Sequence, residues 1–174
     1  DIETYTFADS LMRAVQTKQT GVVWTGGSDQ KVSIVSGRAV VDAFGRTIKA
    51  FYPMTESYGS IGTYNTATGD PQATTEYDAY DRTTKVTLPD GAMTTTAYSI
   101  VSHDGEPMLE TKVTDALGRH AESYTDEKGR NRETVQHASG DNITVKYDYD
   151  AVGQVTTVHH PNDKVTTYEY DLLG

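Results

Sequence analysis

A short word recurs along the chain and limits what it can fold into: Asp42-Ala-Phe-Gly45-Arg46, Asp115-Ala-Leu-Gly118-Arg119 and Asp150-Ala-Val-Gly153-Gln154. Asp78 to Arg82 is the same unit with Asp81 in the glycine position. Weaker copies start at Asp9 and Asp126, and a last one starts at Asp171. Pro53, Pro89 and Pro161 each follow the leading Asp of their copy by eleven residues, so the unit has internal geometry beyond a shared word. Self-similarity of this kind marks a stacked array of small supersecondary units.

Each copy spells a turn. Asp suits the first position of a type I turn, where its carboxylate accepts from the backbone two residues on, and Gly suits the fourth, where the chain leaves through positive φ. The flanking residues then spell strands. Ile143, Val145, Tyr147 and Tyr149 alternate with Thr144, Lys146, Asp148 and Asp150, a period of two that predicts one apolar and one wet face. After the turns, residues 82–88 and 154–159 are rich in Thr and Val and stop at Pro89 and Pro161, which cannot donate to a ladder.

Composition agrees. The chain of 174 residues has 27 Thr, 16 Val and 12 Tyr against only 6 Leu, the types that suit a pleated, half-buried surface. Apolar residues are 36% of the total, low for a compact globule, but aromatic content of 9% argues against disorder. A lone hairpin cannot cover its own apolar face, so the expected fold is all-β: an array of antiparallel hairpins stacked into a continuous twisted sheet, a partial spiral or shell. Residues 1–50 read as degenerate repeats, 51–74 as a loop-rich insertion dense in Gly, Ser, Thr and Asn, and 75–174 as clear repeats with the last copy truncated. Asp104-Gly105 between apolar runs predicts a further hairpin within 98–114.

The residues Tyr149-Asp150-Ala-Val-Gly153, with Glu76-Tyr77-Asp78 through Leu88-Pro89-Asp90-Gly91, resemble the tyrosine-aspartate (YD) repeat of RHS proteins, found in bacterial secreted and surface proteins, toxin complexes and teneurins. The resemblance implies long β-strand spirals forming a hollow shell, which in bacterial members can enclose a C-terminal toxic domain. It further implies a segment of a longer secreted or surface protein whose partners are flanking repeats and an enclosed toxin or effector. Several copies depart from the family pattern: Met12 and Asp81 replace the turn glycine, and Val41 and Thr114 replace the tyrosine before Asp.

Structural roles are therefore expected at the turn positions Asp42, Gly45, Arg46, Asp78, Arg82, Asp115, Gly118, Arg119, Asp150 and Gly153, and at the strand tyrosines Tyr77, Tyr147, Tyr149 and Tyr170. No catalytic residue, cofactor or metal ligand is expected. The usual nucleophile elbow, phosphate loop and His-Glu-x-x-His zinc motif are missing from the sequence. Asp148 to Gly153 departs from a calcium loop at Val152 and His159. His159 and His160, adjacent on a strand, point to opposite faces. A net charge of −10 disfavours nucleic acid and anionic lipid, and no apolar run is long enough for a membrane span. The first residues lack the pattern of a signal peptide. Asn142-Ile-Thr fits a glycosylation acceptor in a eukaryotic secretory host. An extracellular module binding a glycan or protein is the alternative, with Trp24, Tyr52, Tyr58 and Tyr64 as a stacking platform, although core or cross-strand packing is the preferred role for these aromatics.

Overall fold

The structure, a computed structural model, describes residues 2–137 and 142–171. Its strands form two compact units, Asp1–Ala92 and Met93–Gly174. Every strand pair is antiparallel. The truncated copy's Leu172 to Gly174 lies outside the described residues.

In the first unit, β1 (Thr4–Ala8), β2 (Ala14–Thr25), β3 (Ser28–Ser36) and β6 (Met54–Ser57) make one sheet in the order β1-β2-β3-β6. A second ladder runs β4 (Ala39–Val41), β5 (Thr47–Phe51), β7 (Gln72–Tyr77), β8 (Thr83–Thr87). In detail this differs from an unbroken array. After β3 the chain turns through Gly37, at φ 63°, and β6 rather than β4 takes the edge of β3. The stretch 51–74, expected as loop, thus supplies a strand and a short 3-10 turn, Tyr58–Ser60.

That stretch is held by buried polar groups. Lys18 and Gln16, one side of β2, are almost fully buried. The Lys18 ammonium pairs with Glu56 and donates to the Ser60 carbonyl at 3.0 Å, while the Gln16 side-chain oxygen accepts from the Asn65 amide at 3.1 Å. Arg38, 4% exposed, pairs with Asp70 at 2.8 Å and lies 3.6 Å over the Phe51 ring. A buried cation is tolerable only with such partners, so the polar loop that composition suggested is a cover whose polarity is matched to what it covers.

In the second unit, β9 (Met93–His103), β10 (Glu106–Thr114), β11 (His120–Thr125), β12 (Asn131–Gln136), β13 (Ile143–Tyr149), β14 (Val155–His159) and β15 (Val165–Thr167) pair in chain order. The hairpin at Asp104-Gly105 has positive φ at both residues, 50° and 84°, as a two-residue type I′ loop requires. Met108, Tyr124 and Val135 form the core, with Val101 packed on it. Directly paired residues share a face. Val135 pairs with Thr144 and Glu133 with Lys146, so the core face continues into the polar set of β13. The expected split into a buried apolar and a wet polar face is corrected there: Ile143 is 45% exposed, and the opposite face is buried farther on at Val158, partner of Tyr147.

The recurring word builds one hairpin loop throughout. At Asp115 the Gly118 amide donates to the Asp115 carbonyl at 3.0 Å and the Asp115 amide to the Arg119 carbonyl at 2.9 Å. This is a type I turn closed by a left-handed residue. The fourth position has positive φ in every described copy: Met12 62°, Gly45 83°, Asp81 63°, Gly118 78°, Gly129 78° and Gly153 96°. The register slips by one residue beside the turns at Asp9, Asp42, Asp78, Asp126 and Asp150, the bulge this loop type introduces.

A methyl group placed on Gly118 would meet nothing, so any cost of substitution there is conformational. Gly118→Val should lower the stability by about 1–2 kcal/mol, since a β-branched residue resists left-handed backbone. Urea denaturation checks this, and an unchanged midpoint would contradict the turn assignment.

Candidate functional site

The first carboxylate of each turn does two things. At Asp42, Oδ1 accepts from the Phe44 and Arg46 amides at 2.9 and 3.0 Å, and Oδ2 accepts from Arg46 Nε at 2.7 Å. The pattern repeats at Asp9, Asp78, Asp115 and Asp126, with arginine NH2 2.6–2.7 Å from the same oxygen in all five. Such forked, charge-assisted bonds are stronger than neutral ones. At Asp150 the fifth residue is Gln154; there Oδ1 accepts from the amides of Val152, Gly153 and Gln154 at 2.8–2.9 Å.

The five carboxyls paired with arginine are more acidic for it. Arginine hydrogen bonds lower Asp9 and Asp115 below the ordinary 3.8. At Asp42, Asp78 and Asp126 burial works upward, but the arginine and amide hydrogen bonds outweigh it.

Tyrosine links one turn to the next. Tyr77 donates to the Thr47 carbonyl at 3.0 Å, Tyr149 to Asn131 at 2.7 Å and Tyr170 to Val155 at 2.8 Å. Each acceptor directly follows the last residue of the preceding turn, the turns beginning at Asp42, Asp126 and Asp150. Arg46 lies 4.8 Å from the Tyr77 ring and Arg130 5.0 Å from the Tyr149 ring, within cation–π range. Arg46 also donates to the Asp78 carbonyl at 3.3 Å and pairs with Asp81 at 2.6 Å. The arginine thus closes its own turn and grips the next, while the tyrosine reaches back.

The expected turn residues therefore come together pairwise, and Tyr77, Tyr149 and Tyr170 serve as links. Tyr147 instead lies opposite Val158 in the β13–β14 pair. Val41, which precedes Asp42 in place of tyrosine, is the last residue of β4, the strand at the end of its ladder. Core packing for these aromatics is corrected, since Trp24 is 68% exposed and Tyr52, Tyr58 and Tyr64 are also exposed; Trp24 does lie across from Asp29 in the β2–β3 pair, and Tyr64 packs edge-on to Phe7.

Residues missed in the sequence occupy the core face of the second unit. His103 stacks on Tyr124 at 3.8 Å and bonds Glu133 at 2.7 Å. Glu133 also pairs with Lys146 at 3.0 Å. Lys112 bonds Glu122 at 2.8 Å; this bond, against burial and with help from His137 and Tyr124, brings the Glu122 carboxyl from 4.5 to about 2. Burial and the Glu122 charge push the Tyr124 phenol upward. The available signal was His120-x-Glu122 on one strand; pairing with His137 is fixed only by the hairpin register.

Residues 149–174 match the family model of the RHS repeat. The match covers this segment and not the whole chain. No curated protein matches the chain. Among solved structures, the crystal structure of TcdB2-TccC3 is similar over 92% of this chain, with a TM-score of 0.69 and 18% identity. A Photorhabdus luminescens Tc holotoxin pore carrying a TccC3 mutation gives 0.68 at 15% identity, and TcdB2-TccC3-Cdc42 gives 0.68 at 16%, each again over 92% of this chain. The chain spans only 9% of the length of these solved chains. At such identities the likeness shows the fold alone, an antiparallel β architecture, and Tyr149-Asp150 lies within both the family match and the linked turns.

Because the Asp126 carboxyl is lowered on folding, its stabilisation is full above about pH 3.8, its ordinary value, and is lost as pH falls through the lower folded value. Asp126→Asn should cost roughly 1–2 kcal/mol at pH 7. The gap in melting temperature from the unsubstituted protein should narrow at pH 3. A gap independent of pH would contradict the charge-assisted role.

Proposed function

We propose that the chain is a wall segment of a larger exported RHS protein, that the wall encloses a C-terminal toxin or effector, and that the segment itself performs no catalysis. The observation that carries this reading is the link between successive turns. Tyrosine and arginine of neighbouring RHS repeats hold each other, which is how an array of hairpins too thin to stand singly becomes a sheet of indefinite length. The similarity to TcdB2-TccC3 and to a Tc holotoxin pore supports a setting in a toxin assembly. Among the described residues no helix is long and apolar enough to cross a membrane; export to the medium or the cell surface is the location proposed.

Limited proteolysis of the full-length parent with mass mapping tests the enclosure. A C-terminal segment should resist protease while the repeats are intact and become sensitive once Tyr149 and Arg130 are substituted together. Equal sensitivity in both forms would favour an extended scaffold over an enclosing wall.

A further inference from the structure

We propose that His120, Glu122 and His137 form a three-ligand site for a first-row divalent transition-metal ion of the Zn2+ class, on the core face of the second unit. The backbone sets the placement. The His137 amide donates to the His120 carbonyl at 3.0 Å, so the two residues face each other across the β11–β12 pair, one step beyond Ala121 and Gln136. Strand periodicity puts Glu122, two residues from His120, on the same face.

The side chains converge. The imidazoles stack with centroids 4.1 Å apart and planes inclined by 27°. His137 Nε2 is 3.1 Å from Glu122 Oε2, and His120 Nε2 is 3.9 Å from Oε1. The three ligand groups have atoms within 4.8 Å of one another. Ligand atoms around a tetrahedral ion with bonds near 2.1 Å lie about 3.4 Å apart, close to the distance between His137 Nε2 and the Oε2 that faces it. Two imidazoles and a carboxylate suit Zn2+ and its neighbours, whereas Mg2+ and Ca2+ favour all-oxygen sets. The carboxylate is also oriented from behind: the Tyr124 hydroxyl donates to Oε2 at 3.1 Å, the kind of outer contact that steadies a ligand. With side chains 31%, 13% and 27% exposed, the group is sheltered yet reachable.

The neighbouring cluster His103, Asp104 and Glu133 is a poorer candidate. Lys146 lies 3.0 Å from Glu133 and 3.3 Å from Asp104, so an ammonium already stands where the ion would. At Glu122 the ammonium of Lys112 engages Oε1, leaving Oε2 toward His137. Lys112 should therefore weaken metal binding by charge repulsion without occupying the site. A bound ion would tie β11 to the end of β12 and stabilise the folded state by mass action.

Titration of the chelator-stripped 174-residue chain with ZnCl2, followed by calorimetry, tests the site. One equivalent should bind, with Mg2+ giving no comparable signal. His120→Gln and His137→Gln should each weaken Zn2+ at least tenfold, Lys112→Met should tighten it, and His159→Gln combined with His160→Gln should leave it unchanged. Equal affinity in all variants, or loss on substituting His159 and His160, would overturn the assignment in favour of surface histidine binding. Should the histidine variants fail to fold, the Co2+ spectrum of the unsubstituted protein decides. Intense visible bands of four- or five-coordinate Co2+ support the site, and the weak spectrum of the hexaaqua ion contradicts it.

Discussion

Everything in this fold depends on a carboxylate that closes its own turn and on the arginine that shares it. The aspartate gathers two backbone amides and one edge of a guanidinium, and so fixes a loop whose fourth residue must lie in left-handed space. That loop brings a bulge with it, and the bulge appears beside five of the six described turns. Met12 and Asp81 hold the same conformation without a glycine, which shows the side-chain clasp outweighing an unfavourable backbone preference of roughly 1–2 kcal/mol. Asp81 is compensated in part by its ion pair with Arg46.

The second dependence is on polar burial. Among the described residues the buried hydrophobic ones are few, Val35 in the first unit and Met108, Tyr124, Val135 and Val158 in the second. Lys18, Gln16, Arg38 and Glu133 are buried as well; Lys18 meets Glu56, Glu133 meets His103 and Lys146, and Arg38 meets Asp70 and the Phe51 ring. Cross-strand pairs such as Lys112 with Glu122 and Lys146 with Glu133 make the core face of the second unit an ionic ladder. Removing one partner of a buried pair leaves a charge unmatched, which costs far more than the pair contributes. Here the lysines are 39% and 46% exposed, and Glu122 and Glu133 each keep a histidine partner, His137 and His103, if the lysine is removed.

Local chemistry was legible in the sequence. The turn word, the strands ending at Pro89 and Pro161, the hairpin at Asp104-Gly105 and the placing of Tyr77, Tyr149 and Tyr170 at the mouths of the turns all rest on interactions within a few residues or on a repeating offset. What the tyrosines bond was not legible, because Thr47, Asn131 and Val155 are reached only once neighbouring hairpins are in register. The same limit hid His137 from His120, and Lys18 from Glu56. Alternation along β13 misled for a related reason. It describes one strand, whereas burial is set by what the partners on β12 and β14 place on each face. Loop-like composition at 51–74 misled because polar residues there cover a polar strand.

The central claim is that the turns at Asp42, Asp126 and Asp150 are each held partly by the repeat that follows. A double-mutant cycle between Arg130 and Tyr149, with Arg130→Met, Tyr149→Leu and the two combined, measures this directly by urea denaturation. The account predicts a coupling of about 0.5–1.5 kcal/mol. Effects that add to within about 0.3 kcal/mol would mean that the two side chains act independently, and that the hairpins are joined by their backbone ladders alone.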